Sequence, residues 1–386
     1  MTSGSRGWAS YYSDAGDVFV RITNLRRSSI YLDMTNTRYV TLPESSKEGL
    51  RTRLQKGDIL VSITADLGII GYIPDQPKIR HYINQHVALV RANPGRVYSQ
   101  FLAYQLASAK QQNVINRLND AGAKAGLSLP TIRSIPVSLP PLPEQKKIAE
   151  ILSTWDRAIE TTEKLLANAE AQKKALMQQL LTGKRRLKGF EGEWREVRLG
   201  DIADVRIGGT PARNQTIYWQ GGQHTWLSIG DLGQKYISSS KERITDVALT
   251  KSNVKLLPAN TIVMSFKLTI GKLGITRVPL YTNEAICGLI PRNQSDFEPE
   301  FLYQALHVTD LLGDVDQAVK GKTLNKAKLN EIKLRLPSLE EQRFLAECFL
   351  VADQEMQSIE SQLNIIRTEK CALMQQLLTG KRRVRP

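Results

Sequence analysis

The twelve-residue string Ala175–Arg186 (Ala-Leu-Met-Gln-Gln-Leu-Leu-Thr-Gly-Lys-Arg-Arg) returns letter for letter at Ala372–Arg383, 197 positions later. The same 197 positions separate Leu139-Pro-Pro-Leu-Pro-Glu-Gln145 from Leu336-Pro-Ser-Leu-Glu-Glu-Gln342. An internal repeat constrains the fold before any local propensity does, because each copy must adopt one structure twice. No gap is needed between the two blocks, so the intervening segments have equal length, residue for residue.

Those segments carry a coiled-coil pattern. In the first, core positions alternate by four and three through Ile148, Leu152, Trp155, Ile159, Thr162, Leu166, Ala169, Lys173, Leu176 and Leu180. The second copy gives Leu345, Phe349, Ala352, Met356, Ile359, Leu363, Ile366, Lys370, Leu373 and Leu377. Such an alternation, held over more than four heptads, predicts long helices with one apolar seam each. Pro143 suits the start of the first, and Gly183 and Gly380 suit the ends of the two copies. The competing reading is a pair of amphipathic helices in an ordinary core. Two seams of equal length favour mutual pairing.

The stretches before the helices correspond more loosely. Phe101-Leu-Ala-Tyr-Gln-Leu106 is similar to Phe301-Leu-Tyr-Gln-Ala-Leu306, Val61-Ser-Ile63 to Met264-Ser-Phe266, and Phe19–Leu25 to Trp226–Leu232. Short apolar runs broken by Gly, Asn and Pro predict mainly β domains with small helices. The expected fold class is therefore α+β: two mainly β domains separated by an antiparallel pair of long coiled-coil helices, in a pseudo-two-fold repeat. The expected boundaries are 1–142 for the first domain, 143–186 for the first long helix, 187–339 for the second domain and 340–386 for the second helix. Connectivity forces the antiparallel arrangement, since each domain precedes its own helix. Lys173 and Lys370 agree, because they would face each other in a parallel pair and lie apart in an antiparallel one.

Charge narrows the partner. Lys and Arg number 53 against 38 Asp and Glu, a formal charge of +15. An excess of this size, spread through the chain, points to a polyanion, either nucleic acid or an acidic membrane surface. No apolar run reaches spanning length and the N-terminus has no apolar leader, so no membrane role is expected and the location should be cytoplasmic. Cys287, Cys348 and Cys371 form no close pair and the histidines are scattered, so neither disulfides nor a metal site is expected. Catalytic motifs fail as well. Gly321-Lys322-Thr323 resembles the tail of a P-loop, but Asp316 stands where that motif needs Gly. Asn93-Pro94-Gly95 fits a turn rather than a methyltransferase motif, and Pro74-Asp75 lacks the acidic-x-Lys of a nuclease. No catalytic residue and no cofactor is expected.

Taken with these motifs, the sequence resembles the specificity (S) subunits of type I restriction-modification enzymes. The resemblance rests on Leu-Pro-x-Leu-x-Glu-Gln before a long helix, the Gln-Leu-Leu-Thr-Gly-Lys-Arg-Arg ending, and Phe190-Glu-Gly-Glu-Trp-Arg-Glu-Val-Arg-Leu-Gly200 opening the second domain. It implies two target-recognition domains on an antiparallel helical pair, double-stranded DNA as ligand, two methyltransferase (M) subunits on the scaffold, and translocating endonuclease (R) subunits in the full complex. A helix of some 36 residues spans roughly 54 Å at ~1.5 Å per residue, against ~34–36 Å for a turn of B-DNA. The expected target is bipartite with an unread spacer. One departure stands out: the first half begins near the equivalent of Gly208, so its opening strand is absent or supplied otherwise, as a late-assigned start codon would leave it.

Base edges are read by hydrogen-bonding groups and phosphates by cations. The candidate DNA contacts in the first domain are Ser5, Arg6, Arg26, Arg27, Lys124 and Ser128. In the second they are Arg213, Asn214, Gln215, Lys235, Lys267, Lys320, Lys322 and Thr323. Gly122–Gly126 and Lys320–Thr323 are both small, basic loops, where backbone amides can approach phosphate. Tyr11, Tyr12, Tyr218 and Trp219 read either as base-stacking groups or as core. The runs Lys184–Lys188 and Lys381–Arg383 read either as phosphate anchors or as helix ends favoured by the dipole. The alternative function is a coiled-coil scaffold presenting two β domains to protein partners without DNA readout.

Overall fold

The structure, a computed structural model, describes residues 1–4, 6–43, 46–118, 126–311 and 324–385. It divides into two compact units, Met1–Leu165 with Ile359–Pro386, and Leu166–Ser358. Each unit therefore owns one globular part and one end of each long helix.

The first unit holds strands β1 (Thr2–Ser3), β2 (Tyr12–Ser13), β3 (Asp17–Val20), β4 (Arg38–Val40), β5 (Ile59–Ser62), β6 (Ile70–Tyr72), β7 (His81–Ile83) and β8 (Val87–Val90). They form an antiparallel sheet β1-β8-β5-β6 and a mixed sheet β2-β4-β3-β7 in which β3 and β7 run parallel. Helices α1 (Lys47–Thr52), α2 (Ser99–Ala107), α3 (Ala109–Arg117) and α4 (Leu129–Arg133) complete the globular part. Strand β5 reads Ile-Leu-Val-Ser because both of its faces are covered. Ile59 and Val61 pack with Phe101 and Tyr104 of α2, while Leu60 joins Val18, Ile83 and Leu89 on the other face. The α2 layer also takes in Ile148, Ala149 and Leu152 from the start of α5 (Leu142–Leu180), with Leu377 and Leu378 from the end of α10 (Leu339–Leu377).

The second unit repeats the plan. Its elements are β9 (Arg195–Arg198), α6 (Leu199–Ile202), β10 (Ala203–Ile207), β11 (His224–Leu227), β12 (Tyr236–Ile237), β13 (Glu242–Ile244), α7 (Asp246–Lys251), β14 (Ile262–Ser265), β15 (Leu273–Thr276), β16 (Tyr281–Thr282), β17 (Ile286–Pro291), α8 (Pro299–Val308), α9 (Lys326–Asn330) and β18 (Lys333–Leu336). The sheet β10-β17-β14-β15-β12 matches β1-β8-β5-β6 with one strand added, and β13-β11-β16 matches β4-β3-β7. Here Leu180 and Leu181, at the end of α5, share a core with Leu345, Ala346 and Phe349 near the start of α10. In both units the start of one long helix meets the end of the other, so the pair is antiparallel.

Both helices are 39 residues long, and every seam position expected from the heptads is buried or half-buried. Ile148, Leu152, Leu345, Phe349, Ile359 and Leu363 are buried outright. Trp155, Ile159, Leu166 and Met356 are half-buried. The two seam lysines are apart, and each meets an aspartate of the other long helix. Lys370 bonds Asp156 in the first unit, and Lys173 bonds Asp353 in the second. The two aspartates are themselves 197 positions apart.

The repeated motifs now have a physical role. Arg383 forks onto Glu144 with bonds of 2.7 and 2.6 Å, and Arg186 forks onto Glu341 at the same two distances. The glutamates are buried at the helix starts, where a carboxylate also favours the helix dipole. The next residue fastens the globular part: Gln145 accepts from the Tyr98 amide at 2.8 Å, and Gln342 from the Glu298 amide at 3.0 Å. The last arginine of each Lys-Arg-Arg run thus holds a carboxylate.

The halves differ at one edge. Strand β9 pairs with β18, and Leu334 and Leu336 of β18 are 3 and 0% exposed. Their counterparts at the 197 spacing, Val137 and Leu139, are 38 and 43% exposed and belong to no strand. Strand β1 matches only the end of β10: Ser3 pairs with Ala88 as Ile207 pairs with Cys287. Among the described residues of the first unit, none takes the place of β9, which leaves Val137 and Leu139 uncovered.

Candidate nucleic-acid interface

In each unit the hairpin between the two sheets turns on an asparagine. Asn84 accepts from the His86 amide at 3.2 Å, and Asn283 from the Ala285 amide at 3.1 Å. Each asparagine amide is itself held by the neighbouring sheet, through Val20 O at 3.1 Å and Leu227 O at 2.9 Å. Glycine abuts both turns: a Cβ on Gly4 would lie 1.9 Å from Asn84 O, and one on Gly208 2.2 Å from Thr282 O. Only Gly permits so close an approach of two backbones. The middle residue of each turn differs in exposure: Gln85 is half-buried and Glu284 is exposed.

A second loop flanks each turn. After β5 and β14, Ser62 and Ser265 each brace a tight loop, accepting from the amides of Ile69 at 2.8 Å and Lys272 at 3.0 Å. Both loops pass through a left-handed non-glycine residue, Ala65 at φ 58 and Leu268 at φ 63. Such a conformation costs roughly 1 kcal/mol or more and is found disproportionately at binding sites. Leu268 is 89% exposed. The returning chain closes the side, with Leu127 N on Ile63 O at 3.0 Å and Leu324 N on Phe266 O at 3.2 Å. In the first unit this makes a shallow open cleft of about 370 Å³ lined by Ser3, Gly4, Arg6, Thr64, Gln85, Gly126 and Ser128, among others.

The expected contact residues distribute unevenly around it. Arg6 and Ser128 line the cleft. The Ser128 hydroxyl caps α4, accepting from Thr131 N at 3.1 Å. Arg26 pairs with Asp33, whose carboxyl the Thr35 hydroxyl and amide, then Arg26, hold at about 2. Arg27 forks onto Asp66 and also bonds Leu67 O at 2.8 Å and Gln112 at 2.9 Å. Both arginines remain half exposed. In the second unit Asn214 and Gln215 lie on an exposed turn. Arg213 pairs with Glu242 and lies over the rings of Trp219 and Trp226, at 4.0 and 4.8 Å. Lys267 precedes the left-handed Leu268, and its ammonium lies 5.4 Å from the Phe266 ring. Lys235 has a different setting: it is largely covered and bonded to Glu300 at 3.0 Å and Asp353 at 3.1 Å. Ser5, Lys124, Lys320, Lys322 and Thr323 lie outside the described residues.

Of the aromatic candidates, Trp219 is an edge-on neighbour of Trp226 at 5.0 Å and Tyr218 packs on the same cluster. Tyr11 and Tyr12 are exposed. Sequence reasoning missed Thr64, Gln85, His86, Leu268 and Glu284. The signal was present, since Tyr82-Ile-Asn-Gln-His-Val87 and Tyr281-Thr-Asn-Glu-Ala-Ile286 are a further repeated motif, 199 positions apart. Among the described residues no group of His, Cys, Asp and Glu could hold a metal, and no helix is long and apolar enough to cross a membrane.

The model of the type I restriction modification DNA specificity domain matches twice, over residues 24–171 and 191–366. The chain belongs to that family. It is a specificity subunit of the type I restriction-modification class, and its two matches fall on the two halves of the repeat. The chain is 27% identical over 388 residues to a putative type I restriction enzyme MjaX specificity subunit of Methanocaldococcus jannaschii, covering 96% of this chain and 88% of the relative. It is 29% identical over 230 residues to the EcoR124I/EcoR124II specificity subunit of Escherichia coli, covering 56% of this chain and 54% of that one. Two solved structures share the fold. The HsdS subunit from Thermoanaerobacter tengcongensis has a TM-score of 0.52 at 20% identity, over 96% of this chain and 93% of that one. The S subunit from M. genitalium has a TM-score of 0.56 at 16% identity, over 97% and 92%.

Proposed function

We propose that this specificity subunit is the non-catalytic DNA reader of a type I restriction-modification complex, with one half of a bipartite target read by each globular part. The observation that carries this is the pairing of sameness and difference between the units. The Asn turn, the abutting glycine and the left-handed loop recur in both. The side chains they carry differ: Thr64, Gln85 and His86 in one, Lys267, Glu284 and a buried Ala285 in the other. A repeated frame with unlike hydrogen-bonding groups suits two readers of unlike base sequences. Arg6, Arg26, Arg27 and Ser128 in the first unit, and Arg213, Asn214, Gln215 and Lys267 in the second, are the proposed contacts. Ser5, Lys124, Lys320, Lys322 and Thr323 join them on sequence grounds. Lys235 is left out, because its ammonium already has two carboxylates.

The long helices supply the ruler. Equal helices of 39 residues would each extend about 58 Å, more than one turn of B-DNA at ~34–36 Å, so a stretch between the half-sites goes unread. Their exposed faces are the proposed docking surface for two methyltransferase subunits, with endonuclease subunits joining in the full complex. The test is to insert one heptad after Leu166 and its match after Leu363, then map methylated bases in cells carrying the variant with its methyltransferase subunits. The spacer should lengthen while both half-sites stay the same. Altered half-site bases with an unchanged spacer would refute the ruler.

A further inference from the structure

The middle residue of the Asn turn is a position where the two units share a backbone frame, carry a polar side chain that is half-buried in Gln85 and exposed in Glu284, and differ in hydrogen-bonding capacity. Gln85 in the first unit carries an amide, which both donates and accepts. Glu284 in the second carries a carboxylate, which when ionised only accepts. We propose that these two residues are equivalent base-reading positions, Gln85 taking an adenine edge and Glu284 the exocyclic amine of a cytosine. This rests on the DNA-reading function argued above and deepens it to single base pairs.

Each side chain is aimed by a neighbour rather than left to rotate freely. In the first unit the Gln85 amide nitrogen lies 3.1 Å from His86 Nε2, and His86 Nδ1 lies 2.6 Å from the Thr64 hydroxyl. The imidazole thus fixes one side of the amide and leaves the rest of its hydrogen-bonding capacity outward. An amide reads adenine bidentately, donating to N7 and accepting from the N6 amine. In the second unit Ala285 replaces His86, and a different device takes over: the Thr210 hydroxyl donates to one carboxylate oxygen of Glu284. The Thr210 bond lowers the Glu284 carboxyl below its ordinary value, burial opposes, and Lys267 and Arg213 nearby add to the lowering. Glu284 is therefore an anion at neutral pH. Its other oxygen needs a donor, and cytosine N4 offers one in the major groove. An adenine would also present its N7 acceptor to the carboxylate, and guanine would present O6 and N7. A fixed anion on a surface that meets phosphates also penalises every register in which no donor faces it, which gives discrimination by repulsion.

The experiment uses the complete chain in complex with its methyltransferase subunits, and duplexes carrying each of the four base pairs at every position of each half-site. Glu284→Gln should change the preference at one base pair of one half-site, away from cytosine and toward adenine. Affinity for the original site should fall roughly ten- to a hundred-fold, and the other half-site should be read as before. Gln85→Glu should do the reverse in the first half. Thr210→Val, which leaves the carboxylate but removes its brace, should weaken discrimination at the same base pair as Glu284→Gln and nowhere else. Glu284 is exposed and Gln85 is half-buried at the open cleft, so thermal unfolding should hardly move. If Glu284→Gln and Gln85→Glu leave every base preference unchanged while the native complex still prefers its site, the turn does not read bases and the DNA-reading function stands. If the native complex shows no preference over random duplex, both readings fall together.

Discussion

Lys370 lies in a covered seam against Asp156, and its removal should weaken the fold strongly. Its side chain is 9% exposed and that of Asp156, its partner on the other long helix, is 7%. Asp156 also accepts from the Tyr104 hydroxyl, and Lys370 lies 5.7 Å from the Tyr104 ring. Lys370→Met removes the cation and leaves a carboxylate in a covered seam with a single neutral donor. Breaking a buried pair from one side costs about 3–5 kcal/mol, because the remaining charge is uncompensated. The equivalent change in the second unit is milder. Lys173 and Asp353 are 20 and 27% exposed, and Asp353 keeps Lys235 at 3.1 Å, so Lys173→Met should cost about 1 kcal/mol. The measurement is hydrogen–deuterium exchange on the full chain, followed in peptides from the start of α5 and the end of α10. A loss of ~3 kcal/mol raises the population of the open state roughly a hundred-fold, so protection there should collapse in Lys370→Met and hardly change in Lys173→Met at the other end. Adding Asp156→Asn to Lys370→Met removes the stranded charge and should restore most of the protection. Equal effects at both ends, or no rescue by the second substitution, would refute the reasoning.

The open edge of the first unit makes a second prediction. Leu336→Ala empties a fully buried position of β18 and should cost about 2–5 kcal/mol, whereas Leu139→Ala, at its exposed counterpart, should stay within about 0.5 kcal/mol. Urea unfolding curves of the two variants compare them directly. The third concerns pH. Burial raises the Asp353 carboxyl, but its bonds from Lys173 and Lys235 outweigh that and leave it lowered. A lowered folded value stabilises above the unfolded carboxylate value of ~3.9 and loses that contribution as pH falls through the folded value. Exchange protection at the start of α10 should therefore hold from pH 7 to about pH 4 and decline below it, and Asp353→Asn should flatten that decline.

The sequence alone determined the architecture, because its evidence is periodic and local. A letter-for-letter repeat at a constant spacing fixes two helices of one length, and the four-three alternation from Ile148 to Leu180 names the face each must bury. Residues 148, 152, 345 and 349 could be placed in the seam without coordinates. The antiparallel pairing followed from chain order. What the sequence could not reveal is which polar groups meet, since such contacts join residues far apart in the chain. Lys173 and Lys370 were legible as seam lysines, but their aspartates were not, because Asp353 lies 180 positions from Lys173 and Asp156 214 from Lys370. The Lys-Arg-Arg runs read equally as phosphate anchors or as helix ends favoured by the dipole, and only packing showed Arg186 and Arg383 turned onto buried glutamates. Lys235 read as a surface cation until Glu300 and Asp353 closed around it. The candidate site divides in the same way. Arg213 and Lys267 could be chosen by residue type, whereas Glu284 and Gln85 became visible through a turn abutted by a glycine just after a distant strand. Charge and periodicity are properties of a segment and can be read along it. A hydrogen bond depends on where two separate segments come to rest, and tertiary structure decided that.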